Sequence, residues 1–209
     1  MEFRRLAALT SAAFTTAALT TAALALPGGA AAALDEKTDP KQALLDAYHG
    51  VVKLKSYRII STTTAKTTST TVLEYQAPDH FRMVTDRAET VVTPGATYVK
   101  YKGGRWAMAP VDVSELIARF REPKELKEIE TSQDFRLLGP ETVNGTPTLV
   151  YQYVTVVDGQ RTVSKAWLMA GRGLPVKKES TSEYASEKVS SVLDYDYDRD
   201  ITIDPPIHG

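Results

Sequence analysis

The sequence contains no cysteine. That absence excludes disulfides, thiolate nucleophiles and thiolate zinc sites. It also excludes a lipid-modified N-terminal Cys, so the mature chain is not expected to be a lipoprotein itself. Histidine is scarce: His49, His80 and His208 are the only three. None stands at metal or triad spacing from a partner, and structural or solvated roles are expected for them. No Gly-rich phosphate loop, no G-x-S-x-G and no H-E-x-x-H occurs. A formal net charge of −1 leaves no basic field to attract nucleic acid. The expectation is a chain without metal, cofactor or catalytic constellation.

Long apolar runs are confined to the first 33 residues, which differ from the rest. Arg4 and Arg5 give a positive start, Leu6–Leu26 is an uncharged Ala/Leu/Thr run, and Pro27-Gly28-Gly29 breaks it. Ala30–Ala33 then offers small-residue cleavage sites, the layout of a secretory signal peptide. The alternative is a membrane anchor, but the threonine content makes a poor span. Residues 1–33 are therefore expected to be a signal peptide, and residues 34–209 a single exported, periplasmic domain, soluble after cleavage. The removed segment carries Glu2, Arg4 and Arg5, so the mature charge is −2. A domain of this size buries a sufficient core without disulfides.

Asp39-Pro40 is a helix start, with an N-cap Asp and Pro at the first helical position. Leu44, Ala47, Tyr48 and Val51 recur at helical spacing, which predicts a helix from Lys41 to about Lys53, weakened by Gly50. From Ser56 the period changes to two. Strands are predicted at Ser56–Thr64, Thr67–Gln76, His80–Thr85, Glu89–Thr93, Thr97–Tyr101 and Arg105–Met108, with Pro78-Asp79, Pro94-Gly95 and Gly103-Gly104 as turns. Asp112 and Glu115 form a capping box, and Val113, Leu116, Ile117 and Phe120 make one apolar stripe, so a short helix is expected before Pro123. Lys124–Glu130 adds a further turn. Strands resume at Phe135–Leu138, Glu141–Val143, Leu149–Val154, Thr162–Met169, Val176–Tyr184 and Lys188–Tyr197. Asn144-Gly145 is the strongest hairpin signal, since a type I′ turn needs positive φ at both central residues. Ten or eleven strands at regular spacing predict a mainly β fold: a large curved antiparallel sheet forming an incomplete barrel, with an N-terminal helix and a short helical lid insert.

Three features suggest sites and yield to plainer readings. Asp194-Tyr-Asp-Tyr-Asp-Arg-Asp200 has the opening of a calcium loop, but Arg199 stands where Gly is needed and Pro205 where Glu is needed. Strand alternation instead puts Leu193, Tyr195 and Tyr197 on one face and the aspartates on the other. The threonine-rich run Ser61–Thr71 reads as the solvated tip and outer face of a hairpin rather than a ligand-facing ladder. The basic clusters Lys53, Lys55, Arg58 and Lys100, Lys102, Arg105 fit solvated loop ends better than a headgroup site.

What remains is an apolar set at alternate strand positions. Phe81 and Met83, Trp106 and Met108, Leu149, Tyr151 and Tyr153, and Trp167 and Met169 are the expected lining, with Leu73 and Tyr75 beside them. Leu116, Ile117 and Phe120 are the expected cover. Two readings stay open: a filled core, or a partly hollow cavity under a helical lid. An apolar cargo needs no motif, because each buried methylene contributes about 0.8 kcal/mol without a directional contact.

The order of elements resembles the periplasmic LolA/LolB-type lipoprotein carriers of the outer-membrane lipoprotein-sorting superfamily. The resemblance rests on the helix leading into Ser56–Thr64, on Glu74–Arg82 with its Pro and Phe-Arg, and on Thr93–Tyr101. Gly139–Tyr153, Trp167 with Gly173-Leu174-Pro175, and the closing Ile203-Asp-Pro-Pro206 complete it, over about Lys41–Pro206. It implies an incomplete antiparallel barrel with helices as a lid, holding lipid or lipoprotein acyl chains. A non-enzymatic monomeric carrier is the leading expectation. A sensory module on the same fold, with an envelope protein as partner, is the alternative.

Overall fold

A computed structural model describes residues 38–109, 124–184 and 187–206. The signal segment and the stripe of Val113, Leu116, Ile117 and Phe120 lie outside the described residues. The first helix, α1 (Pro40–Val52), starts as its sequence predicts: the Asp39 carboxylate accepts from the Gln42 N–H at 3.0 Å, with Pro40 at the first turn. Then come β1 (Ser56–Thr64), β2 (Thr68–Gln76), β3 (His80–Val84), β4 (Ala88–Thr93), β5 (Ala96–Tyr101) and β6 (Ala107–Met108). A second helix, α2 (Lys124–Thr131), precedes β7 (Gln133–Val143), β8 (Thr146–Val157), β9 (Gln160–Met169), β10 (Pro175–Tyr184) and β11 (Glu187–Asp196). Among the described residues, no helix is long and apolar enough to cross a membrane.

All eleven strands join one antiparallel sheet in the order β6-β5-β4-β3-β2-β1-β11-β10-β9-β8-β7. The first and last strands lie at the centre, with Ile59 opposite Tyr195. The edges β6 and β7 are not paired with each other, so the barrel is incomplete. Local chemistry sets the turns. Asn144 and Gly145 sit at φ 49° and 82°, and Asp158 and Gly159 at 49° and 78°, as I′ hairpins require.

One expectation is corrected. Phe135–Leu138 and Glu141–Val143 are not two strands but parts of β7, whose pairing with β8 slips between Gln133 and Arg136 and again between Leu137 and Gly139. Gly139, at φ 116°, takes up the second irregularity, and an edge strand tolerates Pro140 because its missing N–H breaks no central ladder. The tip Thr64–Thr68 is exposed, as the threonine run suggests.

The core forms where α1 and α2 cover one face of the sheet. Ala43, Leu44, Ala47 and Tyr48 of α1 and Ile129 of α2 pack on Leu149, Tyr151 and Tyr153 of β8 and on Ala166 and Leu168 of β9. Gly50 weakens the helix intrinsically, yet a side chain there would meet Leu174 Cδ2 at 2.9 Å, so its small size admits Leu174 against the helix end. The closing segment is anchored by Ile203, whose N–H donates to Gln76 Oε1 at 2.7 Å. Leu44 is fully buried in this core. Leu44→Ala is expected to lower unfolding free energy by about 2–5 kcal/mol, measured by denaturant titration.

Candidate functional site

Strand register decides which predicted lining residues share a face. On the helix-covered side, one row crosses the sheet through cross-strand partners: Tyr195, Ile59, Leu73, Met83, Thr90 and Val99. A second row runs Tyr57, Tyr75, Phe81, Val92, Thr97. Leu149, Tyr151 and Tyr153 lie on this same side, under the helices. Phe81, Met83, Leu149, Tyr151 and Tyr153 therefore share a face, as their alternation predicts. The other four described members of the set do not join them. Trp167 pairs with Val150 and Met169 with Thr148, one residue out of phase with Leu149 and Tyr151. Met108 pairs with Tyr98, and Trp106 lies over Lys100 Nζ at 4.7 Å, both on the opposite face. The period of two fixes faces within a strand, while register fixes them between strands. Leu116, Ile117 and Phe120 lie outside the described residues.

Over β1 to β5 the opposite face carries an interlocked set of charges, while Val150 and Trp167 are buried on that face further along the sheet. Glu74 pairs with Arg58 at 3.6 Å and with Arg82 at 3.2 Å, and Glu89 pairs with Arg82 at 2.8 Å and with Lys100 at 2.9 Å. Arg58 and Lys100, from the two basic clusters, are thereby committed within the sheet. Trp167 donates to Glu141 Oε2 at 2.7 Å and has Lys177 over its ring. Asp196 accepts from Arg199 at 2.7 Å, and among the described residues no group of three or more Asp, Glu or His is placed to hold a metal.

The helix-covered face has two unlike halves. Over β8 and β9 it is filled, with Tyr151, Tyr153 and Leu168 fully buried. Over β1, β2, β3 and β5 the apolar row Ile59, Leu73, Met83 and Val99 is only half-buried, although its neighbours Tyr57, Phe81, Val92 and Thr97 in the second row are buried. Four strand spacings from Ile59 to Val99 make this row roughly 19 Å long. Aromatic rings line its flank: Tyr57 and Tyr75 stand 5.1 Å apart, as do Tyr75 and Phe81.

A polar cluster that sequence reasoning missed joins the halves. Lys178 of β10 is buried on the helix-covered face, 2.8 Å from Glu128 and 4.0 Å from Glu125 of α2. Ser164 donates to Glu128 at 3.3 Å and lies 2.9 Å from the Ser180 hydroxyl. Tyr48 and Tyr195 meet edge to face at 6.4 Å beside it. Lys178 and Ser180 stand opposite Ala166 and Ser164 on the inward phase of β10, so a charged residue in an inward phase was the available signal. The adjacent Lys177 masked it.

No family model matches the sequence, and none of the curated proteins matches it. Solved structures do. Lipoprotein LppX of Mycobacterium tuberculosis superposes with a TM-score of 0.59 at 15% identity, over 80% of this chain and 100% of that one. LprF of Mycobacterium bovis gives 0.58 at 14%, over 81% of this chain and 97% of that one. The fold is that of LppX and LprF. A putative outer membrane lipoprotein-sorting protein domain from Vibrio parahaemolyticus also matches, with a TM-score of 0.27 at 10% identity over 78% of this chain and 95% of that one. The incomplete antiparallel barrel with helices, implied by the sequence resemblance, is the arrangement this chain has.

Burial raises the phenols of Tyr48, Tyr57, Tyr195 and Tyr197 above their usual range, and that of Tyr153 to about 12. Burial alone would lower the Lys178 ammonium, but Tyr153, Glu125 and Glu128 outweigh it and raise it. The folded state holds all these protons more tightly than the unfolded chain. The resulting stability is full below about pH 10 and is lost as pH rises through the folded values. Stability is expected to fall above about pH 10, with tyrosinate absorbance rising in the same cooperative transition. Titration of these tyrosines with the fold intact would contradict this burial.

Proposed function

We propose that this chain is a non-enzymatic, exported carrier or binder of lipid or lipoprotein acyl chains in the cell envelope, acting as a monomer. The observation that carries the reading is the half-buried row Ile59, Leu73, Met83 and Val99 on the helix-covered side of the open half of the sheet. An acyl chain laid along it exchanges water for apolar contact at about 0.8 kcal/mol per methylene. The half-buried ring of Tyr75 adds an apolar face with few rotamers to freeze, held between the buried rings of Tyr57 and Phe81. The likeness to lipoprotein LppX supports the reading at the level of fold. Phe81 and Met83 are the predicted lining residues that belong to this wall. Leu149, Tyr151 and Tyr153 act as its floor, holding α1 and α2 in place. Leu116, Ile117 and Phe120 remain the proposed cover.

Native mass spectrometry of the purified mature protein, followed by lipid extraction, is expected to show co-purifying acyl lipid. Met83→Asp is expected to reduce that lipid several-fold while shifting the thermal midpoint by a few degrees, because Met83 is only half-buried. Protein that carries no lipid, or a variant that carries as much as the wild type, would overturn the reading.

A further inference from the structure

The open half of the sheet ends in a rim of three turns. β1, β3 and β5 run towards this rim and β2, β4 and β6 run away from it, so the turns at 65–67, 85–87 and 102–106 stand at one end of neighbouring strands. Two of them are tied directly, the Lys102 N–H donating to the Arg87 carbonyl at 2.8 Å. The three turns carry Lys66, Arg87, Lys102 and Arg105, all exposed, against a single carboxylate, Asp86. This rim is therefore cationic on a chain whose net charge is −1. The turns at the other end of the same strands, 77–79 and 94–95, hold no cation.

The sequence alone groups Lys102 and Arg105 with Lys100, and the structure separates them. Lys100 is held by Glu89 at 2.9 Å and lies over the Trp106 ring. Among the described residues, Arg87, Lys102 and Arg105 take part in no ion pair. Between them stands Tyr101, which is 71% exposed, the most exposed of the large apolar side chains. Tyr101 also marks where the apolar row ends. Val99, the last member of that row, lies two residues earlier on β5 and in the same phase. The row thus reaches solvent directly beneath the cationic rim.

Unpaired cations beside a protruding tyrosine match the boundary of an anionic bilayer. Each Lys or Arg close to such a surface is attracted by its headgroups, and tyrosine rings settle at headgroup level. The rim lacks the contiguous apolar centre on which a stable protein interface is built. We propose that this rim docks on an anionic phospholipid bilayer, with Arg87, Lys102 and Arg105 against the headgroup phosphates and Tyr101 at the acyl boundary. Cargo would then pass between bilayer and row at the Val99 end. That direction of transfer rests on the acyl-chain reading given above, whereas the docking itself rests on charge and exposure at the rim.

The test is co-sedimentation of the mature protein with vesicles of phosphatidylcholine alone and of phosphatidylcholine mixed with phosphatidylglycerol. Binding is expected on the mixed vesicles only, and is expected to weaken as added salt screens the surface charge. The double variant Lys102→Gln, Arg105→Gln is expected to bind roughly thirtyfold more weakly, at about the attraction of one surface charge per residue removed. Its thermal midpoint should stay within about two degrees of wild type, because both side chains are exposed. Tyr101→Ser is expected to weaken binding several-fold at every salt concentration. The control Lys53→Gln, Lys55→Gln removes the same charge beside the start of β1, at the opposite end of the strands, and should bind as wild type does. Absence of binding to the mixed vesicles, equal binding to both kinds, or an equal loss in the control would overturn the docking surface. The lipid that co-purifies with the protein is a separate readout: its presence without vesicle binding leaves the acyl-chain reading standing, and its absence with vesicle binding intact overturns that reading alone.

Discussion

The pairing of β1 with β11 is the constraint on which the rest of the structure depends. Each half of the chain makes its own meander, and neither is a complete layer. Joining the first strand to the last, with Ile59 opposite Tyr195, turns two ribbons into one sheet of eleven strands. The seam places α1 over β8 and β9, because α1 enters the fold directly before β1. It also aligns the apolar row of the N-terminal half with the aromatic cluster of the C-terminal half. This contact links residues more than a hundred positions apart, so it closes late in loop-entropy terms and must be held by packing on both sides.

The two halves of the helix-covered face differ in burial, and on the proposed reading this divides stability from function. Over β8 and β9, helices remove Leu149, Tyr151, Tyr153 and Leu168 from water, and that burial supplies the core. Over β1 to β5, Ile59, Leu73, Met83 and Val99 stay only half-buried, which forgoes part of the same driving force. The outer face of the open half compensates with its carboxylate–guanidinium ladder, which ties β1 to β5 laterally without a second apolar layer. Such partly exposed pairs contribute modestly one by one, and more as a network. An open apolar wing held from its far side is a physically coherent way to keep a surface available for apolar cargo.

Much of this fold was legible because its signals are local. Asp39-Pro40 and Asn144-Gly145 act through the conformation of their own backbone, and strands β1 to β5 begin and end within a residue or two of their predicted limits. The wall was only partly legible. Alternation places Phe81 with Met83 and Trp167 with Met169, but cannot say whether the two pairs face the same way. Register separates them. The split of β7 was misread because Gly139-Pro140 looks like a break and is an edge-strand irregularity instead. Lys178 and Glu128 escaped notice for a different reason: fifty residues separate them, and only the packing of α2 on β10 brings them together.

The central claim is that cargo lies along the helix-covered row of the open half, and it is tested most directly by mapping contact with a photoreactive acyl lipid. After irradiation and digestion, label is predicted on Leu73, Met83 and Val99, with little on Trp106, Met108, Trp167 or Met169. Label concentrated on those four residues, or spread evenly over both faces, would contradict the account.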